Sequence, residues 1–284
     1  MTSVIFYSIA VLGITAAVLA LILFLVTKKF YVYEDPRVAI VAEKLPGANC
    51  GGCGFAGCKA LAEAIVKKES LEGLNCPVGG ADVMNEVGEV LGIKAETSLP
   101  KIAVVRCNGS KANTTAKVNY EGAIDCLNAS MVLSSEGGCP NGCLGLGSCV
   151  SVCRFDAIAI NKESGLPEVD ENKCVACEAC AKTCPRKVIE MRNKGTKNRR
   201  IFVSCINNEK GAVAKKNCGV ACIGCGKCAK VCAFEAISIN DNLAYIDFNK
   251  CKLCRKCIEE CPTGAIHCVN FPPKKESKNE VAAS

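Results

Sequence analysis

The sequence predicts an α+β protein built from a single N-terminal transmembrane helix, a small four-cysteine domain and two tandem copies of one cysteine-rich module. Three observations carry this. An uncharged apolar run opens the chain, 25 of its 284 residues are cysteine, and its second half repeats itself. Self-similarity of this kind sets the architecture before any residue is read singly.

Val4 to Val26, VIFYSIAVLGITAAVLALILFLV, holds 23 residues without a charge. As a helix the run is long enough for the roughly 30 Å of a bilayer's hydrocarbon core. A cleaved signal peptide fits less well, because no Lys or Arg precedes the run and TKKF follows where a small-residue cleavage site would stand. Lys28 and Lys29 put the C-terminal side in the cytoplasm by the positive-inside rule. The chain is therefore expected in the cell inner (plasma) membrane, single-pass, with residues 1–33 as anchor and its cysteines on the cytoplasmic side. Thiols stay reduced there and available to metals, so disulfides are the weaker explanation of the cysteine content.

Aromatic residues make up 5% of the chain and tryptophan is absent. Small modules with so little apolar bulk need cross-links to hold them. The first set falls in residues 34–99, where Cys50, Cys53, Cys58 and Cys76 form C-x2-C-x4-C-x17-C. Leu61, Ala62, Ile65 and Val66 follow at helical spacing, which puts Cys58 at a helix start and Cys76 on the returning loop. Gly52, Gly54 and Gly57 also spell G-x-G-x-x-G. A dinucleotide fingerprint needs a strand running straight into its first glycine. Here Pro46 interrupts the approach and cysteines flank the glycines, which read instead as points of close backbone approach around a metal.

Pro100 and KIAVV begin a new unit, residues 100–191, and its copy occupies residues 192–272. A shift of 79 residues superposes Cys139, Cys143, Cys149 and Cys153 on Cys218, Cys222, Cys228 and Cys232. A shift of 77 superposes Cys174, Cys177, Cys180 and Cys184 on Cys251, Cys254, Cys257 and Cys261. Flanking text repeats too: CRFDAIAI matches CAFEAISI, and PEVDENKCVAC matches AYIDFNKCKLC. RNKGTKNRR, 192–200, reads as a basic linker, either a solvated loop or a guide for an acidic redox partner. Residues 273–284 have the composition of a disordered tail.

In CVACEACAKTCP, Cys174 to Pro185, three thiolates fall within seven residues and a fourth precedes proline. That run suits a 4Fe-4S cube, with the fourth cysteine serving a second cube. Zinc would favour separated C-x2-C pairs closing one tetrahedron. The run recurs as CKLCRKCIEECP, Cys251 to Pro262, and without the proline as CIGCGKCAKVC, Cys222 to Cys232. Each copy thus resembles a bacterial-type two-cluster 2[4Fe-4S] ferredoxin. The resemblance implies crossed ligation: Cys222, Cys225, Cys228 and Cys261 for one cube of the second copy, Cys251, Cys254, Cys257 and Cys232 for the other. In the first copy Cys174, Cys177, Cys180 and Cys153 form one set. Its other set departs from the pattern, because CLGLGSC places Leu146 where Cys225 supplies a ligand. Cys139, four residues before Cys143, is the expected substitute, giving Cys139, Cys143, Cys149 and Cys184, with Cys126 as rival.

Five 4Fe-4S clusters follow. Cys107, Cys126, Cys205, Cys218 and Cys268 are left as buried thiols or as material for a sixth, and Cys107 in VVRC matches Cys205 in FVSC. His267 reads as structural. The formal charge of +7 invites a nucleic-acid reading, but five cubes at roughly −2 each bring it to about −3. No nucleic-acid partner is expected.

One membrane helix, GANCGGCGFAGC, then tandem ferredoxin modules: this order resembles the B subunit of the Rnf complex, an ion-translocating ferredoxin:NAD oxidoreductase, over nearly the whole chain. The resemblance implies a subunit that takes electrons from soluble ferredoxin and passes them to other membrane and flavin subunits, which reduce NAD and move Na+ or H+. No complete catalytic site is expected on this chain alone. The other readings are a membrane-tethered polyferredoxin of a hydrogenase or heterodisulfide-type reductase, and a non-redox zinc-stabilised adaptor.

Overall fold

The computed structural model describes residues 2–29, 35–94, 99–114, 118–132 and 138–272. The expected tail at 273–284 lies outside them. Helix α1 spans Thr2–Lys29 and closes on Lys28 and Lys29. Its segment Ile9–Lys29 is long and apolar enough to cross a membrane, with a mean hydropathy of 3.0 and none of it covered by the rest of the chain.

Three helices form the four-cysteine domain: α2 (Pro36–Lys44), α3 (Cys58–Lys68) and α4 (Gly80–Leu91). Helix α2 starts where it does because Pro36 suits the first turn and Asp35 caps it, accepting from the Arg37 amide at 2.9 Å. Helix α3 begins at Cys58 as its spacing predicts, and Leu61, Ala62, Ile65 and Val66 turn inward onto Val38, Val41, Met84 and Val87. Cys53, Cys58 and Cys76 pack on this same core.

The first module contains β1 (Lys101–Val105), α5 (Cys126–Val132), α6 (Ser148–Ser151), β2 (Ile158–Ile160), β3 (Pro167–Val169), α7 (Ala179–Thr183) and β4 (Ile189–Asn193). The second repeats the scheme with β5 (Arg200–Val203), α8 (Gly211–Asn217), α9 (Lys227–Lys230), β6 (Ile237–Asn240), β7 (Leu243–Ile246), α10 (Lys256–Glu259) and β8 (Ile266–Val269). In each module the first and last strands pair antiparallel, β1 with β4 and β5 with β8, and the inner strands form a hairpin, β2 with β3 and β6 with β7. Strand β4 runs across the expected boundary at 191/192, since its pairing with β1 ends only at Lys101 opposite Asn193.

Strand alternation gives β1 two apolar faces. Ala103 and Val105 join the core of their own module, while Ile102 and Val104 meet Phe202 of β5 across the boundary between modules. Arg192, opposite Ile102, is buried in this seam with 1% exposure. Its guanidinium lies over the rings of Phe202, Tyr245 and Phe248 at 5.9, 5.2 and 5.6 Å. Nη1 donates to the Ile246 carbonyl at 3.1 Å. Arg200 is buried as well, paired with Glu171. The basic linker is therefore only partly a solvated loop: both its end arginines are folded between the modules, while Thr196, Lys197 and Asn198 at its middle are exposed.

Candidate iron-sulfur centres

Each C-x2-C-x2-C run, and the CLGLGSC loop that lacks its middle cysteine, is curled by two left-handed residues, two and four places after its first cysteine. They are Ala176 and Glu178, Leu253 and Arg255, Gly224 and Gly226, and Gly145 and Gly147. Alternating hand in successive residues turns main-chain N–H groups into a concave nest suited to anionic centres such as Fe–S cubes. The strain carried by four non-glycine residues in this region marks a shape imposed by function. Leu146 sits in the same curl, so the loop keeps its form without its thiol.

Four cavities lie inside these curls. One is lined by Cys222, Cys225, Cys228 and Cys261, and another by Cys232, Cys251, Cys254 and Cys257. In the first module Cys153, Cys174, Cys177 and Cys180 line a third. The fourth cysteine thus crosses from one half of each module to the other, as the ferredoxin pattern implies. The fourth cavity is lined by Cys143, Cys149, Cys184 and Cys126. Cys139, the expected substitute, is not on this cavity; its rival Cys126 is. The reason is local. Asp125 accepts from the Asn128 amide at the start of α5 and from the Ser148 hydroxyl at 2.7 Å, and Ser148 accepts from the Cys126 amide at 2.7 Å. This clasp ties α5 to α6 and sets Cys126 beside Cys149. A signal was present in the sequence: the first copy has a longer stretch between Cys107 and Cys139 than the second has between Cys205 and Cys218, and α5 lies in that extra length.

In the helical domain Cys76 neighbours Cys58 and Cys53 and accepts from the Gly79 amide at 3.4 Å. Cys50 stands on the side of its loop that faces Cys177 of the first module. Arg154 donates across this junction to the Asn49 carbonyl at 3.1 Å.

The donor chemistry fits iron-sulfur cubes. Burial first, then the neighbouring sulfurs, push the thiols of Cys143, Cys180 and Cys257 up to about 12, and those of Cys149 and Cys228 to about 11. Sulfurs crowded this way ionise together only around positive charge. Among the described residues, no three His, Cys, Asp or Glu side chains close on one point as a single ion would require. The thiols stand around a space instead. Main-chain amides meet the sulfurs, as Ala157 N–H meets Cys153 Sγ and Ala244 N–H meets Cys222 Sγ, both at 3.4 Å. Such donors stabilise thiolates and tune a cluster's potential. His267 lies on β8 beside Asn108 Nδ2 at 2.9 Å, its pKa lowered by burial.

An apolar N-terminal helix, a helical four-cysteine domain and two ferredoxin-type modules together define a multi-centre iron-sulfur electron-transfer protein. Family comparisons agree along the chain. An Fe-S cluster family matches residues 45–78, a 4Fe-4S binding domain 166–189 and a 4Fe-4S dicluster domain 221–265. The chain is 41% identical to the B subunit of the Na(+)-translocating ferredoxin:NAD(+) oxidoreductase complex of Acetobacterium woodii, over 94% of this chain and 78% of that one. It is 41% identical to the B subunit of the ion-translocating oxidoreductase complex of Methanosarcina acetivorans, over 94% and 99%. With the B subunit of the proton-translocating ferredoxin:NAD(+) oxidoreductase complex of Clostridium ljungdahlii it shares 39%, over 97% of each. The chain belongs to this family, the B subunits of ion-translocating (Rnf) oxidoreductase complexes. Neither the hydrogenase-type polyferredoxin nor the zinc adaptor is favoured by these relatives.

Proposed function

We propose that the chain is the cytoplasm-facing electron relay of an ion-translocating ferredoxin:NAD oxidoreductase, anchored by α1, taking electrons from reduced soluble ferredoxin and delivering them to membrane and flavin partner subunits that reduce NAD and move Na+ or H+. Five cysteine sets hold its 4Fe-4S clusters: Cys50, Cys53, Cys58 and Cys76; Cys153, Cys174, Cys177 and Cys180; Cys126, Cys143, Cys149 and Cys184; Cys222, Cys225, Cys228 and Cys261; Cys232, Cys251, Cys254 and Cys257. When bound, such cubes supply low-potential one-electron chemistry.

One observation carries this reading: the loop of Cys50 seats directly on the loop of Cys177, so the anchored domain and the first ferredoxin module meet through their metal loops. The protein's own residues do the rest. The left-handed curls hold three thiols on a concave face, amide donors steady the thiolates, and apolar walls such as Ile158, Val188 and Ile266 keep water from the cavities. Residues 1–33 and 34–99 serve as anchor and first relay domain, and the stretches from β1 to β4 and from β5 to β8 as two relay modules.

The test is anaerobic purification with iron and sulfide analysis, then mixing with reduced ferredoxin under electron paramagnetic resonance. Five cubes mean about 20 irons per chain, and ferredoxin should develop their signals. A chain that binds iron stoichiometrically yet is never reduced by ferredoxin would refute the donor assignment.

A further inference from the structure

Four of the five cysteines left over from those sets do not scatter. Cys107, Cys139, Cys205 and Cys218 line one cavity of about 580 Å³ at the boundary between the modules. Cys139 neighbours Cys107 and Cys218, Cys205 neighbours Cys139, and a β-carbon on Gly109 would stand 3.5 Å from Cys107 Sγ and 3.8 Å from Cys218 Sγ. They are also equivalents under the internal repeat. Cys107 and Cys205 each come two residues after the first strand of their module, and Cys139 and Cys218 each come four residues before the first cysteine of a curl.

We infer that Cys107, Cys139, Cys205 and Cys218 form a sixth four-thiolate site for an iron-sulfur cube, two ligands from each ferredoxin module, placed between the Cys143 site and the Cys222 site. The surroundings repeat what the regular sites show. Every sulfur meets a main-chain amide: Cys143 N–H reaches Cys107 Sγ at 3.4 Å, Asn207 N–H reaches Cys205 Sγ at 3.4 Å, Asn141 and Gly142 serve Cys139, and Val220 serves Cys218. Two amide contacts join this site to its neighbours: the Cys143 amide donates to Cys107, and the Cys222 amide also donates to Cys205. The cavity's rim is held by bonds between the modules. Asn108 N–H meets the Ser204 carbonyl at 3.1 Å, Gly219 N–H meets the Asn113 carbonyl at 2.9 Å, and Asn141 Nδ2 meets Asn207 Oδ1 at 3.2 Å. The site is thus a tie between modules and the missing step between two metal loops. Six sets of four also leave Cys268, exposed on β8, outside any set.

This inference rests on the iron-sulfur reading above, and one experiment separates the two. The full chain, reconstituted anaerobically, should hold about 24 irons and an equal number of sulfides rather than about 20. The Cys107→Ser/Cys218→Ser double variant should lose about four of each, together with one paramagnetic component, while Cys268→Ser loses none. A wild-type chain without iron would sink the iron-sulfur reading itself. A chain at about 20 irons, or a double variant that keeps its full complement, would overturn this site alone. Should the double variant not fold, the wild-type count decides.

Discussion

Gly52 lies against Cys177 so closely that a β-carbon on it would stand 2.9 Å from both the Cα and the carbonyl oxygen of Cys177. What meets it is backbone of a strained metal loop, which cannot swing aside. Part of a G-x-G-x-x-G string that resembles a nucleotide fingerprint is therefore a docking surface between two cysteine sites.

Gly52→Ala should push the two loops apart and cost about 1–3 kcal/mol, as overpacking does. Iron content should stay unchanged. Magnetic interaction between the Cys50 and Cys177 clusters should weaken, seen as narrower paramagnetic lines on full reduction. Unchanged line shapes with unchanged thermal stability would mean that the domains do not dock this way.

Cys126, not Cys139, should be the fourth thiol of the Cys143 cavity. Cys126→Ala is expected to remove the signal that Cys184→Ala also removes, and Asp125→Ala to speed its loss by freeing Ser148 and α5. The Asn128 amide first, then the Ser148 hydroxyl, hold Asp125 below the usual carboxylate range. That contribution is present above the ordinary aspartate pKa of about 4 and is lost as pH falls through the lower folded value. Iron release followed by chelator absorbance from pH 7 downward should show this acid-side acceleration in wild type and not in Asp125→Ala.

At the seam, Glu190 accepts from Arg106 at 3.1 Å and from Tyr245 Oη at 2.7 Å, and its Oε2 lies 3.5 Å from Arg192 Nη2. Burial lowers the pKa of Arg192, and that carboxylate and the three rings offset the cost of burying its charge. Glu190→Ala should destabilise by on the order of 3 kcal/mol, because it strands a buried cation. Arg192→Met, apolar and of similar length, should cost much less. Paired chemical denaturation curves of the two variants test the order, and the reverse order would refute it.

Removing the iron should unfold the parts unequally. The ferredoxin modules have small cores of short strands with cysteines packed among them, whereas α2–α4 pack Val41, Leu61, Ile65 and Val87 on one another. Far-ultraviolet circular dichroism after chelation should lose strand signal and retain helix. The emptied sites should also respond to pH. The thiols of Cys143, Cys149, Cys180, Cys228 and Cys257 sit above the ordinary range of about 8.5, so any residual stability they confer is full below that range and falls as pH climbs towards their folded values of about 11 to 12. Iron uptake releases those protons and should be favoured by raising pH from 7 to 9, measurable as acid released into weak buffer.

Much of this protein was legible as a string. Cysteine spacing is a local constraint, and it marked the curls and, with the flanking text, the tandem copies; apolar spacing marked the helix start at Cys58, and the crossed sets of the second module followed from the resemblance to two-cluster ferredoxins. The anchor helix follows from composition. Three-dimensional packing decided what spacing cannot encode: that Cys126 rather than Cys139 faces Cys149, that Arg192 is buried rather than solvated, and that Cys107, Cys139, Cys205 and Cys218 converge. The physical reason is range. A ligand within three residues of its neighbour is positioned by backbone curvature, but a thiol on an inserted helix, or across a module boundary, is positioned by the side chains and hydrogen bonds that happen to hold its element, and those meet only when the chain has folded.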